Sequence, residues 1–99
     1  MSLRREQEEI EASILQALKR RGELRWTQLE KHVMRSCSVS VSSYRFRLRM
    51  QYLLQRGFVE RVRKGVYRIT EKGEKYLSLL DPLRRVHRSL PRTNFTYRR

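Results

Sequence analysis

A chain of 99 residues is long enough for one modest hydrophobic core and too short for two cores or a deep catalytic cleft. Its single cysteine argues against an internal disulfide, and the lack of an apolar run of about eighteen residues argues against a membrane-spanning helix. The charged N-terminal sequence MSLRREQEEIE lacks the apolar stretch of a secretion signal, so we expect a cytoplasmic protein.

The formal net charge of +14 is concentrated in one part of the chain. Residues 1–30 hold six basic and six acidic residues, whereas residues 31–99 hold eighteen basic and four acidic ones. Such an excess destabilises a compact chain by self-repulsion, which a polyanionic partner would relieve. Arginine outnumbers lysine nineteen to five, and its forked guanidinium suits contacts to phosphates and guanine edges. An arginine-rich genome or heat adaptation would explain the preference for arginine, but not the uneven distribution of charge.

The first predicted element is an amphipathic helix over residues 6–21. Apolar residues recur at helical spacing from Ile10 to Leu18. Acidic residues lie near its start and basic residues near its end, as the helix dipole favours. Gly22 follows, where a left-handed cap is common. The next four residues, 23–26, leave room only for a brief strand or a turn.

Two further helices are predicted on either side of a serine-rich turn. Thr27 and Glu30 have the spacing of a capping box, which predicts a helix over residues 28–36. Serines favour turns and caps over helix interiors, so the stretch 36–43 is interpreted as a turn. The next helix, residues 42–56, would then be capped by one of two serines, Ser40 or Ser42.

Helix 42–56 has one apolar stripe and several arginines. The stripe consists of residues spaced by four, three and one: Phe46, Met50, Leu53 and Leu54. The other positions include four arginines and no acid: Arg45, Arg47, Arg49 and Arg56. Because the stripe faces the core, helical geometry is expected to turn the arginines outward. Solvated faces usually mix both signs of charge, so the absence of acids favours binding over simple solvation.

Residues 58–63 and 66–70 flank the Lys-Gly pair 64–65, which predicts a β-hairpin with a basic tip. The side chains expected to face inward are Val59, Tyr67 and Ile69. Residues 70–80 predict a fourth helix, in which Gly73 is expected to weaken the start slightly. The residues that this helix would bury are Tyr76, Leu77 and Leu80.

The chain changes character after residue 81. Residues 82–99 contain six arginines, no acid and no periodic apolar face, which predicts a basic, extended C-terminal tail. We therefore expect one domain over residues 1–81, followed by the tail at 82–99.

The order of these elements resembles that of winged helix-turn-helix proteins. The stretches Tyr52–Arg61 (YLLQRGFVER) and Val66–Gly73 (VYRITEKG) look like the end of a recognition helix running into a wing. They are similar to small bacterial and archaeal transcription regulators of the MarR, ArsR and PadR type, over residues 6–80. The resemblance implies an α+β, mostly α, fold: a winged helix-turn-helix with a three-helix core, a two-stranded β-wing, a C-terminal helix and a basic tail.

The resemblance also implies a DNA-binding transcription regulator. Its recognition helix 42–56 would read the major groove, and its wing 59–69 would lie along the backbone or the minor groove. The residues expected on the recognition helix are Ser42, Ser43, Tyr44, Arg45, Arg47 and Arg49. Those expected on the wing are Arg61, Arg63, Lys64 and Arg68. The tail would add backbone contacts through Arg84, Arg85 and Arg88.

Double-stranded DNA is the favoured partner and structured RNA the second. The tail supports an RNA-binding or ribosomal protein, because Phe95 and Tyr97 lie among its arginines and could stack on bases. A sequence-tolerant architectural DNA binder is the third alternative. A regulator could be a homodimer, using the first helix, the fourth helix or an edge at Leu48 and Tyr52. It would be associated with the nucleoid.

The sequence contains no motif for catalysis. There is no glycine-rich phosphate loop, no paired His/Cys or His/carboxylate spacing for a metal, and only two histidines from which to build a catalytic triad. His32 and His87 are expected to be ordinary surface histidines, and Cys37 a small turn or core residue. We therefore expect no enzyme activity, no cofactor and no small-molecule ligand.

Overall fold

The computed structural model describes residues 3–80, with side chains described from Arg4 onward. The elements follow in the order α1 (Leu3–Arg21), β1 (Leu24–Arg25), α2 (Trp26–Ser36), α3 (Ser43–Gln55), β2 (Val59–Arg63), β3 (Val66–Ile69) and α4 (Glu71–Leu80). This confirms the predicted fold class, a mostly helical winged helix-turn-helix with a C-terminal helix. The predicted tail lies outside the described residues.

The core forms where α1 packs against α2, α3, α4 and strand β3. Three of the four residues of the predicted stripe of α3, Phe46, Met50 and Leu53, are buried, whereas Leu54 is half-buried. The core they join contains Ile10, Ile14, Leu15 and Leu18 of α1 and Leu29 and Val33 of α2. Each side chain of this size contributes about 1.5–3 kcal/mol when fully buried. The helical periodicity of the sequence therefore identified the faces that hold the domain together.

Two predicted helix boundaries are confirmed in atomic detail. Gly22 has φ +88°, and its N–H donates to the Leu18 carbonyl at 2.8 Å, so the left-handed cap ends α1 as predicted. Ser42 caps α3, because its Oγ accepts the N–H of Arg45 at 3.1 Å. Of the two candidate serines, the cap is therefore Ser42.

The predicted start of α2 is wrong. Thr27 is not a cap but the second residue of the helix, which begins directly after β1 at Trp26. The observed cap lies two residues earlier than the predicted one: the Arg25 N–H donates to Gln28 Oε1 at 3.1 Å, in place of the expected bond from the Thr27 N–H to Glu30. Tertiary packing explains the shift, because the half-buried Trp26 ring packs edge-on against Phe46, with ring centroids 5.1 Å apart.

The predicted hairpin is present, and β1 extends it to a three-stranded antiparallel sheet in the order β1-β3-β2. Leu24 lies opposite Tyr67, and the Trp26 N–H donates to the Gly65 carbonyl at 2.9 Å. The hairpin turn is thereby tied to the start of α2. Val59 and Tyr67 are buried as expected, and Ile69 is partly buried against the core.

Gly73 has a role that helix propensity did not indicate. It is buried in α4, and a Cβ at this position would lie 2.0 Å from the Phe58 carbonyl oxygen. Thr70 caps the helix, accepting the Gly73 N–H at 3.0 Å and donating to the Gly57 carbonyl at 2.6 Å. The glycine therefore allows α4 to approach the backbone that follows α3. Of the expected apolar face of α4, Leu77 is buried while Tyr76 and Leu80 are half-buried.

Candidate nucleic-acid interface

The exposed face of α3 lies opposite its buried stripe. Tyr44, Arg47, Leu48 and Gln51 are spaced by three, one and three residues, so they share one side of the helix. Tyr44 is 60% exposed and Leu48 38% exposed. The Arg47 guanidinium lies 5.7 Å from the centre of the Tyr44 ring, a cation–π distance that orients both groups. We call these four residues the exposed face of α3.

The start of α3 adds polar groups to this face. Ser42 and Ser43 are both exposed where the chain enters the helix. The Ser42 Oγ is used as a cap acceptor, but its hydroxyl proton is free to donate to a phosphate. The N-terminal turn of a helix also carries partial positive charge, which favours an anion there.

Arg45 does not face outward as expected. Its Nη2 lies 2.9 Å from Glu6 Oε1 of α1, and its Nη1 donates to the Ser40 carbonyl at 2.7 Å. The side chain is only 30% exposed. It therefore fastens the turn before α3 to α1, and its charge is already compensated within the protein.

Arg49 is still more enclosed, so the expectation that it faces outward is also wrong. Its Nη1 lies 2.5 Å from Glu11 Oε2, with the two side chains 18% and 3% exposed. The other carboxylate oxygen of Glu11 accepts the Tyr76 hydroxyl at 2.6 Å. Burial first, and then this hydrogen bond, raise the pKa of Tyr76, so the phenol stays a donor at neutral pH. We call Arg49, Glu11 and Tyr76 the buried triad.

Acidic residues of α1 thus hold the helix-turn-helix in place. Besides the pairs of Glu6 and Glu11, the Glu9 carboxylate accepts both the backbone N–H and the hydroxyl of Ser38, the former at 2.9 Å. Although α3 itself has no acid, two of its arginines meet acids from a helix some forty residues earlier in the chain. The linear charge pattern therefore overstated the positive charge of α3 on the side that faces α1.

The four predicted wing residues are all exposed on the hairpin. Arg63 pairs with Glu23 at 3.3 Å, and Arg68 pairs with Glu60 across the strands. Both pairs are solvent-exposed, and such pairs contribute only about 0–1 kcal/mol, so a phosphate could displace either acid. Within residues 4–80, Arg61 and Lys64 have no ion pair. A register shift between Arg61 and Arg63 marks a bulge in this strand.

Gln51 is the residue of this surface that the sequence reasoning missed. It is exposed four residues after Arg47, on the same side of α3. A side-chain amide can bond an adenine edge through two hydrogen bonds, so it belongs with the candidate readers. The sequence could have indicated Gln51, because it follows Arg47 by four residues and so lies on the same side of a helix. Tyr52, which the sequence suggested as part of a dimer edge, is half-buried. The Arg49 and Arg56 guanidinium groups lie 5.1 and 5.3 Å from the centre of its ring.

Other site types receive no support from residues 3–80. No cluster of three or more His, Cys, Asp or Glu residues there could hold a metal ion. No helix in the same range has the length and apolar character needed to cross a membrane. The predicted tail contacts, Arg84, Arg85 and Arg88, lie outside the described residues and stay a prediction.

The model of the winged helix-turn-helix family matches residues 4–88, which is most of the chain. No curated protein and no solved structure gives a significant match. The chain belongs to the winged helix-turn-helix family. Helix-turn-helix domains are typical DNA-binding modules, so membership suggests that this protein binds DNA. The match identifies the fold and not the MarR, ArsR or PadR type, which stays a resemblance.

Proposed function

We propose that this protein is a sequence-specific, double-stranded DNA-binding transcription regulator. Its exposed face of α3 enters the major groove, and the hairpin lies along the adjacent backbone or minor groove. The protein acts at the nucleoid, and as a homodimer it would present two such helices to paired half-sites.

The observation that carries the proposal is the composition of the exposed face of α3. Arg47 can bond guanine, Gln51 can bond adenine, and Leu48 can contact a thymine methyl group. The three side chains thus offer three different ways to recognise a base edge from one accessible side of the helix. The β-hairpin adds exposed basic side chains. A surface that bound only the phosphate backbone would need cations alone, so this mixture favours sequence reading over architectural binding.

The residues proposed to read DNA are fewer than the sequence analysis expected. Arg45 and Arg49 are engaged by acids of α1, so we assign them to positioning α3 rather than to contacting bases. Ser42, Ser43 and Tyr44 remain proposed contacts at the start of the helix. Arg61, Arg63, Lys64 and Arg68 remain proposed backbone contacts of the wing.

Selection from random libraries tests this function directly. The full chain is incubated with random duplex DNA and, separately, with random structured RNA, and the bound molecules are sequenced. We expect one duplex motif to be enriched. The Arg47→Ala/Gln51→Ala variant should lose that motif, whereas Lys72→Ala/Lys75→Ala, on exposed positions of α4, should keep it.

Two results would contradict the proposal. Uniform duplex binding with no enriched motif would indicate an architectural protein. Enrichment confined to RNA would indicate the RNA-binding alternative. The homodimer is tested separately by light scattering of the full chain, alone and bound to the enriched duplex.

A further inference from the structure

A second basic surface lies between α1 and α2, away from the proposed DNA interface. It is a groove of about 450 Å³, within the range of roughly 300–1,000 Å³ typical of small-molecule sites. Its lining comes from α1, β1, α2 and Cys37, which follows α2, and includes no residue of α3 or of the hairpin. Ala17 and Leu24 provide apolar surface, and Ser13, Gln16 and Gln28 provide polar groups.

The groove concentrates four exposed cations from two helices. Arg20 and Arg21 belong to the last turn of α1, and Lys31 and Arg35 are spaced by one helical turn on α2. Within residues 4–80, none of the four has an ion-pair partner. Glu9 is the acid of the lining, and its carboxylate already accepts hydrogen bonds from Ser38.

This arrangement differs from that of α3, where two arginines are matched by carboxylates. The helix dipole stabilises single cations at the ends of α1 and α2. It gives no reason for two helices to direct four of them into one concave surface, where they repel each other. An anionic ligand carrying several charges would remove that repulsion.

The pKa of His32 reflects its burial and the positive charges around the groove. His32 is half-buried among these residues, rather than being the ordinary surface histidine expected from the sequence. Burial lowers the pKa of His32 below its usual 6.5, and the charges of Arg35, Arg20 and Arg21 lower it further. The charged side chains that line the groove around His32 are cationic except for Glu9.

We propose that this groove binds a phosphate-bearing ligand of about nucleotide size. Arginine forks match the oxygens of phosphate, and four cations exceed what a single carboxylate would require. The apolar surface at Ala17 and Leu24 would contact the carbon-rich part of the ligand. The phosphate belongs either to a free phosphorylated small molecule or to a phosphodiester backbone. The proposal does not rest on DNA reading by α3, because the two surfaces share no residue.

The histidine provides a direct assay in the unaltered protein. The chain contains two histidines, His32 in the groove and His87 in the predicted tail. We would follow both by proton NMR while titrating pH, with and without pyrophosphate or ATP. Bound phosphate places negative charge near the imidazole and favours its protonated form, so the pKa of His32 should rise.

Paired variants locate the site. Arg20→Gln/Arg35→Gln should weaken ATP binding measured by calorimetry by about tenfold or more, because two charge-assisted contacts are lost. Lys72→Gln/Lys75→Gln removes the same amount of charge from α4 and should change the affinity for ATP by less than about twofold. All four side chains are exposed, so both variants are expected to keep the circular dichroism spectrum of the parent.

Competition distinguishes the two sources of phosphate. In the Arg47→Ala/Gln51→Ala background, saturable displacement of ATP by a short duplex assigns the groove to a phosphodiester backbone. ATP binding that a duplex does not displace assigns it to a free phosphorylated molecule. The proposal is overturned if pyrophosphate, ATP and duplex all leave the pKa of His32 unchanged, or if both charge variants weaken binding equally. Neither result would affect motif selection by α3, so the proposed function is judged separately.

Discussion

Arg47 and Arg49 lie two residues apart on α3, and they have opposite surroundings. Arg47 is exposed, and within residues 4–80 it has no ion pair and no side-chain hydrogen bond, only the cation–π contact with the Tyr44 ring. Arg49 is enclosed with Glu11, which in turn binds Tyr76 of α4. One arginine is available to a partner, whereas the other connects three helices. Residue type and local charge were the same for both, so the difference comes from which side of α3 faces α1.

The largest expected effect is on stability. Arg49→Ala removes the ionic partner of a buried carboxylate, and leaving such a charge unpaired costs about 3–5 kcal/mol. Arg47→Ala should change the free energy of unfolding by less than about 0.5 kcal/mol, because its side chain is exposed. Urea denaturation of both variants measures the contrast. Equal losses of unfolding free energy in the two variants would contradict the conclusion that Arg49 is enclosed by an ion pair and Arg47 is not.

The same buried pair permits a sharper test of its role. Arg49→Met/Glu11→Leu replaces both charges with apolar groups of similar volume, which is often neutral or stabilising. The double variant should therefore recover part of the stability lost in Arg49→Ala. The Tyr76 hydroxyl loses its acceptor in this variant, so about 1–3 kcal/mol of the loss should remain unless water reaches it. Failure to recover any stability would show that the loss in Arg49→Ala comes from side-chain packing rather than from the unpaired charge.

DNA recognition should depend on the exposed Arg47 and not on Arg45, which an acid of α1 holds. Arg47→Ala should cost about 1–3 kcal/mol on the preferred duplex and relax selection at one or two base pairs, because a base contact is lost. Arg45→Ala, which also removes one arginine of α3, should leave base preference unchanged because its guanidinium is held by Glu6 and Ser40. Fluorescence anisotropy on the preferred duplex and single-substitution duplexes measures both. If Arg45→Ala loses base preference and Arg47→Ala keeps it, Arg45 rather than Arg47 contacts the bases.

The smallest expected effect belongs to the wing. Arg63→Ala should weaken all duplex sequences alike and reduce the log–log salt slope by about one, because it removes one phosphate contact. Its exposed pair with Glu23 contributes little to folding, so stability should change by less than about 1 kcal/mol. Binding measured at several salt concentrations checks the slope. A change in base preference would instead place Arg63 among the readers.

Much of the domain followed from local sequence. Gly22, Ser42 and the apolar spacing of α1 and α3 were sufficient because caps and amphipathic periodicity depend on residues a few positions apart. The start of α2 was missed because Trp26 enters the helix to pack on Phe46, a residue twenty positions away. Tertiary packing there outweighed the local signal from Thr27.

The sequence by itself determined the winged helix-turn-helix order of elements, the core stripes and the presence of an exposed basic hairpin. Only the tertiary structure decided which cations are compensated. Glu6 and Glu11 neutralise Arg45 and Arg49 from a different helix, while Arg20 and Arg35 meet in a groove without an ion-pair partner in residues 4–80. The physical reason is that electrostatic energy depends on distance in space, and residues far apart in the chain become neighbours only after the helices have packed.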